Sequence, residues 1–301
     1  MIIFLSDLRK LSKYLYKNEK SEKMKQSLIK TYKKEIIVFY ILAVVSLAVA
    51  SFFDLKIDIF LNHPSNLIAN WFEQTGEMPA SLLITIALAF ILKCANPRWM
   101  KIVAAIGCLV AGAYFGKWFG GRLFADNDFQ DAYEMIFGVG FAAVVIFVMH
   151  FITIPENVRK PLLIIAFVGL GVCGLGTGLT NLMKMLWGRV RFRSMEAPYG
   201  DFTPWYILNG SNGNHSFPSG HTNSAGSSYL LMLLPFVSEK CRKRKTALFM
   251  TAFIYTSTVA LTRLVMGAHY LSDVTIGGTI SFTSTLLGMA FYEKFSEKLG
   301  A

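Results

Sequence analysis

Two stretches of the chain carry residues fit for proton and phosphoryl chemistry. The first, 214–221, reads Asn-His-Ser-Phe-Pro-Ser-Gly-His and stands at the threshold of an apolar helix. A Ser-Gly pair entering a helix presents backbone N–H groups to an anion, and a His at its end can supply a proton. The second stretch sets His269 and Asp273 four residues apart. On helical geometry they share a face, so the carboxylate holds one imidazole nitrogen and leaves the other free to attack. Phosphoryl transfer needs cations and N–H donors around the non-bridging oxygens, an in-line nucleophile and an acid for the leaving oxygen. Lys184, Arg191, Ser219, Gly220, His221, Arg263, His269 and Asp273 meet those needs as a set. Singly, each has a plainer reading. Pro-Ser-Gly is also ordinary turn chemistry that caps a helix, and a lone outward Arg is usually a headgroup contact. A zinc site from His221, His269 and Asp273 is disfavoured, because the three lack a recognised ligand spacing.

The elements that position this set are membrane helices. The 301 residues are 53% hydrophobic and 16% charged, with a mean hydropathy of +0.45, too apolar for an ordinary soluble domain. Apolar runs at 36–53, 79–92, 102–119, 135–154, 162–183, 222–237, 247–261 and 274–292 predict an all-α, polytopic transmembrane helical bundle of about eight spans. The formal charge of +11 does not point to nucleic acid, because the Lys and Arg residues fall in short clusters between apolar runs. Cys94, Cys108, Cys173 and Cys241 imply no disulfide framework.

Sidedness follows from charge. With both termini cytosolic, most of the 30 Lys and Arg lie inside, in 1–35, 93–101, 159–160, 240–245 and near the C-terminus. The outer loops then hold Asp54, Asp58, Glu73, Glu77, Asp126, Asp128, Asp131 and Glu134, the asymmetry expected of a cytosolic arm and tail. This arrangement puts 184–221 and the turn with Arg263, His269 and Asp273 on one outer face. Lys184, Arg189, Arg191, Arg193 and Arg263 are kept there against the charge bias, which implies an anionic ligand.

Three lesser features belong to the same reading. Leu8, Leu11 and Leu15 recur at helical spacing among lysines, as an interfacial helix on anionic lipid or a solvated basic tail. Residues 193–217, with Pro198, Pro204, Trp205 and Tyr206, form a long loop that is either a lid or an inert surface segment. Leu67, Ile68, Trp71 and Phe72 read as a short amphipathic helix that packs on the outer surface rather than touching substrate.

The spacings of the charged set resemble the signature of the type 2 phosphatidic acid phosphatase superfamily, Lys-x6-Arg-Pro, Pro-Ser-Gly-His and Ser-Arg-x5-His-x3-Asp. Here these parts are Lys184 to Arg191 with Phe192, Pro218-Ser219-Gly220-His221, and Thr262-Arg263 to His269 and Asp273. Phe192 stands in place of Pro and Thr262 in place of Ser. The resemblance implies that His269 attacks phosphorus to give a phosphohistidine, that Asp273 orients it and that His221 protonates the departing alkoxide. Water activated by His221 then hydrolyses the intermediate. Lys184, Arg191 and Arg263, with the Ser219 hydroxyl and the Gly220 N–H, hold the phosphate oxygens. No metal and no cofactor is implied. Arg189 and Arg193 can aid phosphate binding but lie outside the motif, and His63, His150 and His215 read as structural.

The expected organisation is a basic cytosolic arm, 1–35, an integral membrane phosphatase domain, 36–293, and a cytosolic tail, 294–301. The catalytic part is 162–292, and the pair of spans within 102–154 looks like an insertion into the family's common six. The expected partner is a lipid phosphate or polyprenyl pyrophosphate, met among membrane lipids at the outer face of the plasma membrane. A lipid-linked phosphotransferase shares the same residues, and a transporter or scaffold that only binds an anion is the rival from another class.

Overall fold

The computed structural model describes residues 27–123 and 129–299. The stretch with Leu8, Leu11 and Leu15 lies outside the described residues, as do Asp126 and Asp128. Every regular element among the described residues is helical. Besides a short turn of helix at Leu28–Thr31 and a 3-10 turn at Phe192–Ser194, these are in chain order α1 (Lys33–Leu61), α2 (Leu67–Thr75), α3 (Met78–Cys94), α4 (Arg98–Leu123), α5 (Gln130–Phe151), α6 (Glu156–Trp187), α7 (Gly220–Gly226), a 3-10 helix (Ser227–Phe236), α8 (Glu239–Lys243), α9 (Lys245–Val265) and α10 (Leu271–Leu299). Seven helical stretches are long and apolar enough to cross a membrane, with α2 and α3 counting as one. The chain is an integral membrane protein with a polytopic helical bundle. The last helix runs on to Leu299, through most of the segment read as a tail.

The stretch 222–237, read from the sequence as an ordinary span, is different. It consists of the seven residues of α7 and the ten of the 3-10 helix, with Pro235 inside. At about 1.5 Å per α-helical and 2.0 Å per 3-10 residue the pair covers roughly 30 Å, the thickness of a bilayer core. The tighter winding therefore lets a short segment run much of the length of the bundle. It starts beside Lys184 at the end of α6 and finishes with Phe236 against Tyr292, near the far end of α10.

The core explains this path. Phe39 of α1 stacks on Phe282 of α10 with ring centroids 3.9 Å apart, and Tyr229 meets Phe282 edge-on at 5.0 Å. Met232, Leu233, Phe249 and Met289 close the cluster. The outer flank of α1 keeps Ile37, Ile41, Val44 and Val45 exposed, the side chains a bilayer would cover. At the end of the bundle away from 184–221, basic side chains close helix C-termini. Lys93 Nζ donates to the carbonyls of Met149, His150 and Ile152 at 2.6–2.8 Å, and Arg159 donates to Cys94 O at 2.9 Å. Ser27 and Glu293, bonded at 3.0 Å, put the first and last described segments at that same end.

Helices α4 and α5 form a closely packed pair. A Cβ on Gly112 would stand 2.5 Å from the carbonyl oxygen of Gly138, and one on Gly116 only 2.2 Å from that of Glu134. The Gly112-x-x-x-Gly116 spacing thus lets two backbones touch, as small residues do in membrane helix pairs.

Candidate active site

The chain leaves α9 at Val265, turns through Gly267 at φ 58° and enters α10 at Leu271. A Cβ on Gly267 would meet Asn62 Oδ1 at 2.8 Å and Phe192 at 3.0 Å, so the turn needs glycine for both conformation and space. His269 lies in this turn and Asp273 in the first turn of α10. The two meet across the helix start rather than along one helical face, with His269 Nδ1 3.4 Å from Asp273 Oδ2. That is ion-pair reach but longer than a well-formed N–H···O bond.

Asp273 is wholly buried and held from several sides. Ser216 Oγ donates to its Oδ2 at 2.5 Å and the Tyr270 amide to the same oxygen at 3.1 Å. Arg189 Nη1 donates to Oδ1 at 2.6 Å. Arg189 is itself 1% exposed and gives its other donors to Asp54 Oδ2 at 2.9 Å, Ser272 Oγ at 2.8 Å and Thr203 O at 2.8 Å. Its guanidinium lies 4.0 Å from the Tyr270 ring centroid. Burial opposes the charge on Arg189, but Asp273 and Asp54 outweigh it and hold the proton more tightly than usual. Arg189, given a possible phosphate role from the sequence, instead has its donors occupied by protein. The Trp205 loop seats it: Trp187 Nε1 donates to Trp205 O at 2.5 Å, Trp205 Nε1 to Ser51 Oγ at 3.1 Å, and Trp187 stacks on Phe217 at 4.9 Å.

The 214–221 segment joins this frame through its backbone. Ser219 N donates to Asp273 O at 3.0 Å. The Ser219 hydroxyl caps α7 by accepting from Thr222 N at 3.3 Å, the plain turn chemistry of the sequence put to use at the site. Beside it, a Cβ on Gly220 would stand 3.2 Å from Lys184 Nζ, so the α6 lysine lies over the glycine. His221 Nδ1 is 3.1 Å from Glu77 Oε1, and its Nε2 is 2.9 Å from the Glu73 carbonyl.

Arg263 is 1% exposed. Its Nη2 donates to Glu73 Oε1 at 3.0 Å, an oxygen shared with Arg193 at 2.9 Å. Arg263 Nε and Nη1 are buried with no hydrogen-bond partner among the described residues. Arg191 carries no ion pair among the described residues and stands within electrostatic reach of Arg263 and His269. Burial, then Arg193 and Arg263, pulls its pKa down. Burial also lowers His269 to about 4, against the pull of Asp273 and with Arg263 and Arg191 adding to the fall. At neutral pH the ring is uncharged and keeps a lone pair.

The two departures from the signature find places. Phe192 is buried against Tyr199 at 5.2 Å, and the next amide, Arg193 N, donates to Gly267 O at 2.8 Å. Thr262 turns its hydroxyl back to Val259 O at 2.7 Å. Helix α2 packs through Phe72, 6.3 Å from the Tyr255 ring, and Ala69, while Leu67, Ile68 and Trp71 are 81%, 66% and 47% exposed; Glu73 of this helix meets the site. Among the described residues no three His, Cys, Asp or Glu side chains gather as metal ligands.

All eight residues of the sequence-based set thus stand around one point at the ends of α6, α7, α9 and α10. Sequence reasoning did not assign Asp54, Arg189, Ser216, Glu73 or Glu77. Asp54, Glu73 and Glu77 were legible only as outer-loop acids; the structure puts Asp54 inside α1, which runs on to Leu61.

This fold and site are those of a membrane-embedded helical bundle with buried histidines and cations gathered at one end. Residues 162–297 match the family model of the PAP2 superfamily. Over these residues the chain is similar to that family, the type 2 phosphatidic acid phosphatases, whose members are generally phosphatases acting on phosphate esters. No curated protein and no solved structure matches the chain.

Proposed function

We propose that the protein hydrolyses a lipid phosphate or pyrophosphate at the outer face of the plasma membrane, through a phosphohistidine on His269. The observation that carries this reading is the pairing of a neutral, buried His269 with cationic donors that have no acceptor among the described residues, Arg263 Nε and Nη1. In the first step the His269 Nε2 lone pair forms a bond to phosphorus as the P–O bond breaks. The leaving alkoxide takes a proton from His221. Lys184, Arg191 and Arg263 balance charge on the phosphate oxygens, beside Ser219 and Gly220. In the second step water attacks phosphorus, gives a proton to His221 and breaks the P–N bond, which returns His269 and releases phosphate.

A lipid is favoured by the surroundings. An apolar cavity of about 260 Å3, lined by Phe39, Leu42, Thr222, Phe253, Leu261 and Leu264, opens between α1 and α9. Thr222 follows His221 and Leu264 follows Arg263 in the chain, so the cavity lies next to the elements that carry the site, where a hydrocarbon tail would be held. The basic residues that cap helices at the opposite end support a cytosolic placement for that end, and so an outward site.

The test is phosphate release from phosphatidate, phosphatidylglycerol phosphate and polyprenyl pyrophosphate in mixed micelles with excess chelator. We expect release by the wild type on at least one, and its loss in His269→Ala together with acid-labile phosphoprotein. Equal release by both proteins would sink the nucleophile assignment. A Cys placed at Asn212 that labels only from the cytosolic side would overturn the sidedness.

A further inference from the structure

We propose that Glu77 is a positioning residue for His221, and that the inserted helix α4 reaches the catalytic centre through it. The inference rests on His221 acting as the acid in the reaction above. Glu77 Oε1 lies 3.1 Å from His221 Nδ1, and both side chains are largely buried, at 12% and 15% exposure. The other carboxylate oxygen, Oε2, accepts from Tyr114 Oη at 2.9 Å. Tyr114 belongs to α4 and lies between Gly112 and Gly116, the residues that bring α4 against α5. A chain of contacts therefore runs from the α4–α5 seam through Tyr114 and Glu77 to His221. Neither Tyr114 nor Glu77 is part of the three-part signature.

The chemistry of the pair is specific. The Glu73 carbonyl can only accept, so His221 Nε2 carries a proton where it stands, 2.9 Å away. With Nδ1 facing a carboxylate, both ring nitrogens meet oxygen acceptors, an arrangement that fits a ring loaded with two protons. The remaining charged or titratable groups around the ring are Lys184 of α6, Arg263 of α9, His269 of the α9–α10 turn and the Glu73 carboxylate bound to Arg263. Burial first, then Arg263, His269 and Lys184, holds His221 well below the ordinary histidine value, and Glu77, 3.1 Å from Nδ1, is the carboxylate in contact that can favour the protonated ring when the acid is needed. With substrate bound, the leaving oxygen replaces the Glu73 carbonyl as acceptor of the Nε2 proton; as the P–O bond breaks, that proton passes to the alkoxide oxygen while Nδ1–H stays on Glu77. The ring is then neutral in the one tautomer whose Nε2 lone pair can take a proton from water in the second step. A carboxylate behind a histidine selects that tautomer and orientation. Tyr114 fixes the carboxylate in turn.

The experiment uses the full chain in mixed micelles, with two synthetic substrates that share a lipid tail and differ in leaving-group pKa. Glu77→Gln should lower kcat on the order of 10²-fold for the poor leaving group, far less for the good one, with KM nearly unchanged. Its basic limb in the kcat–pH profile should move to lower pH, and Glu77→Asp should recover part of the loss. In a His221→Ala background Glu77→Gln should add nothing. Tyr114→Phe should act in the same direction by a few-fold. The ratio between the two substrates is taken within one protein, so partial unfolding of a variant does not disturb it. A loss in Glu77→Gln that is equal for both leaving groups, or that multiplies with His221→Ala, would overturn the inference and leave Glu77 a packing residue. If His269→Ala released phosphate like the wild type, the reaction itself would be misassigned and both readings would fall. If His269→Ala is dead and Glu77→Gln is silent, only this inference fails.

Discussion

His269 and His221 each stand against a carboxylate, but the two pairs are built from opposite materials. Asp273 follows His269 by four residues, is wholly buried and is held by Arg189, Ser216 and the Tyr270 amide. Glu77 reaches His221 from the turn between α2 and α3, far away in sequence, and its own brace is Tyr114, a residue 49% exposed. A nucleophile must keep one orientation through two chemical steps, and the dense frame around Asp273 suits that. A proton donor has to release and regain its proton, and a looser partner on the rim suits it better.

Experiments that break the two pairs should separate them. The largest effect is expected for Asp273→Asn, which keeps the shape but removes the charge that orients His269. Turnover should fall on the order of 10⁴-fold, with the same loss for good and poor leaving groups in steady-state assays, unlike Glu77→Gln. A selective loss on poor leaving groups would show that the two carboxylates do the same job.

The frame behind the first pair should fail as a unit. Arg189→Met leaves Asp54 and Asp273 buried without their cation and should cost about 3–5 kcal/mol, read as a lowered midpoint in detergent denaturation. Arg193→Met removes a half-exposed partner of Glu73 and should cost less than about 1 kcal/mol. Similar midpoints for the two variants would refute the contrast in rigidity.

The smallest effect is on pH. His269 is lowered from 6.5 to about 4 by burial, so kcat/KM should hold across neutral pH and fall as pH drops through about 4, where the nucleophile is protonated. The same shift has a stability consequence. As pH falls from 6.5 towards 4 the unfolded chain takes up the proton first, so the native state loses stability over that window. An acid limb near 6.5 would mean that His269 is not shielded as the structure has it.

The motif residues were legible because phosphate chemistry constrains both type and spacing. Lys184, Gly220, Arg263, His269 and Asp273 follow the family signature, and the chain brings them together. Their supports were not legible. Arg189 looked like another phosphate ligand because its role depends on Asp54, 135 residues away, lying beside it. Glu77 looked like a loop acid because nothing in its own neighbourhood points to Tyr114 or His221. The helices were legible from apolar runs, except that the run at 222–237 does not reveal how tightly it is wound. A short apolar segment looks much the same to a period of 3.0 as to one of 3.6.

That winding has a consequence for how the segment can change. In the 3-10 helix Tyr229, Met232 and Pro235 are all buried, as are Leu230 and Leu233, while Ser228, Leu231 and Leu234 are only partly covered. The side chains stand in straight files, each repeating every third residue. Inserting three residues would therefore lengthen the segment by about 6 Å and leave every file in place. Inserting four, the change an ordinary transmembrane helix tolerates best, would turn the apolar files by about a third of a circle, away from Phe39 and Phe282.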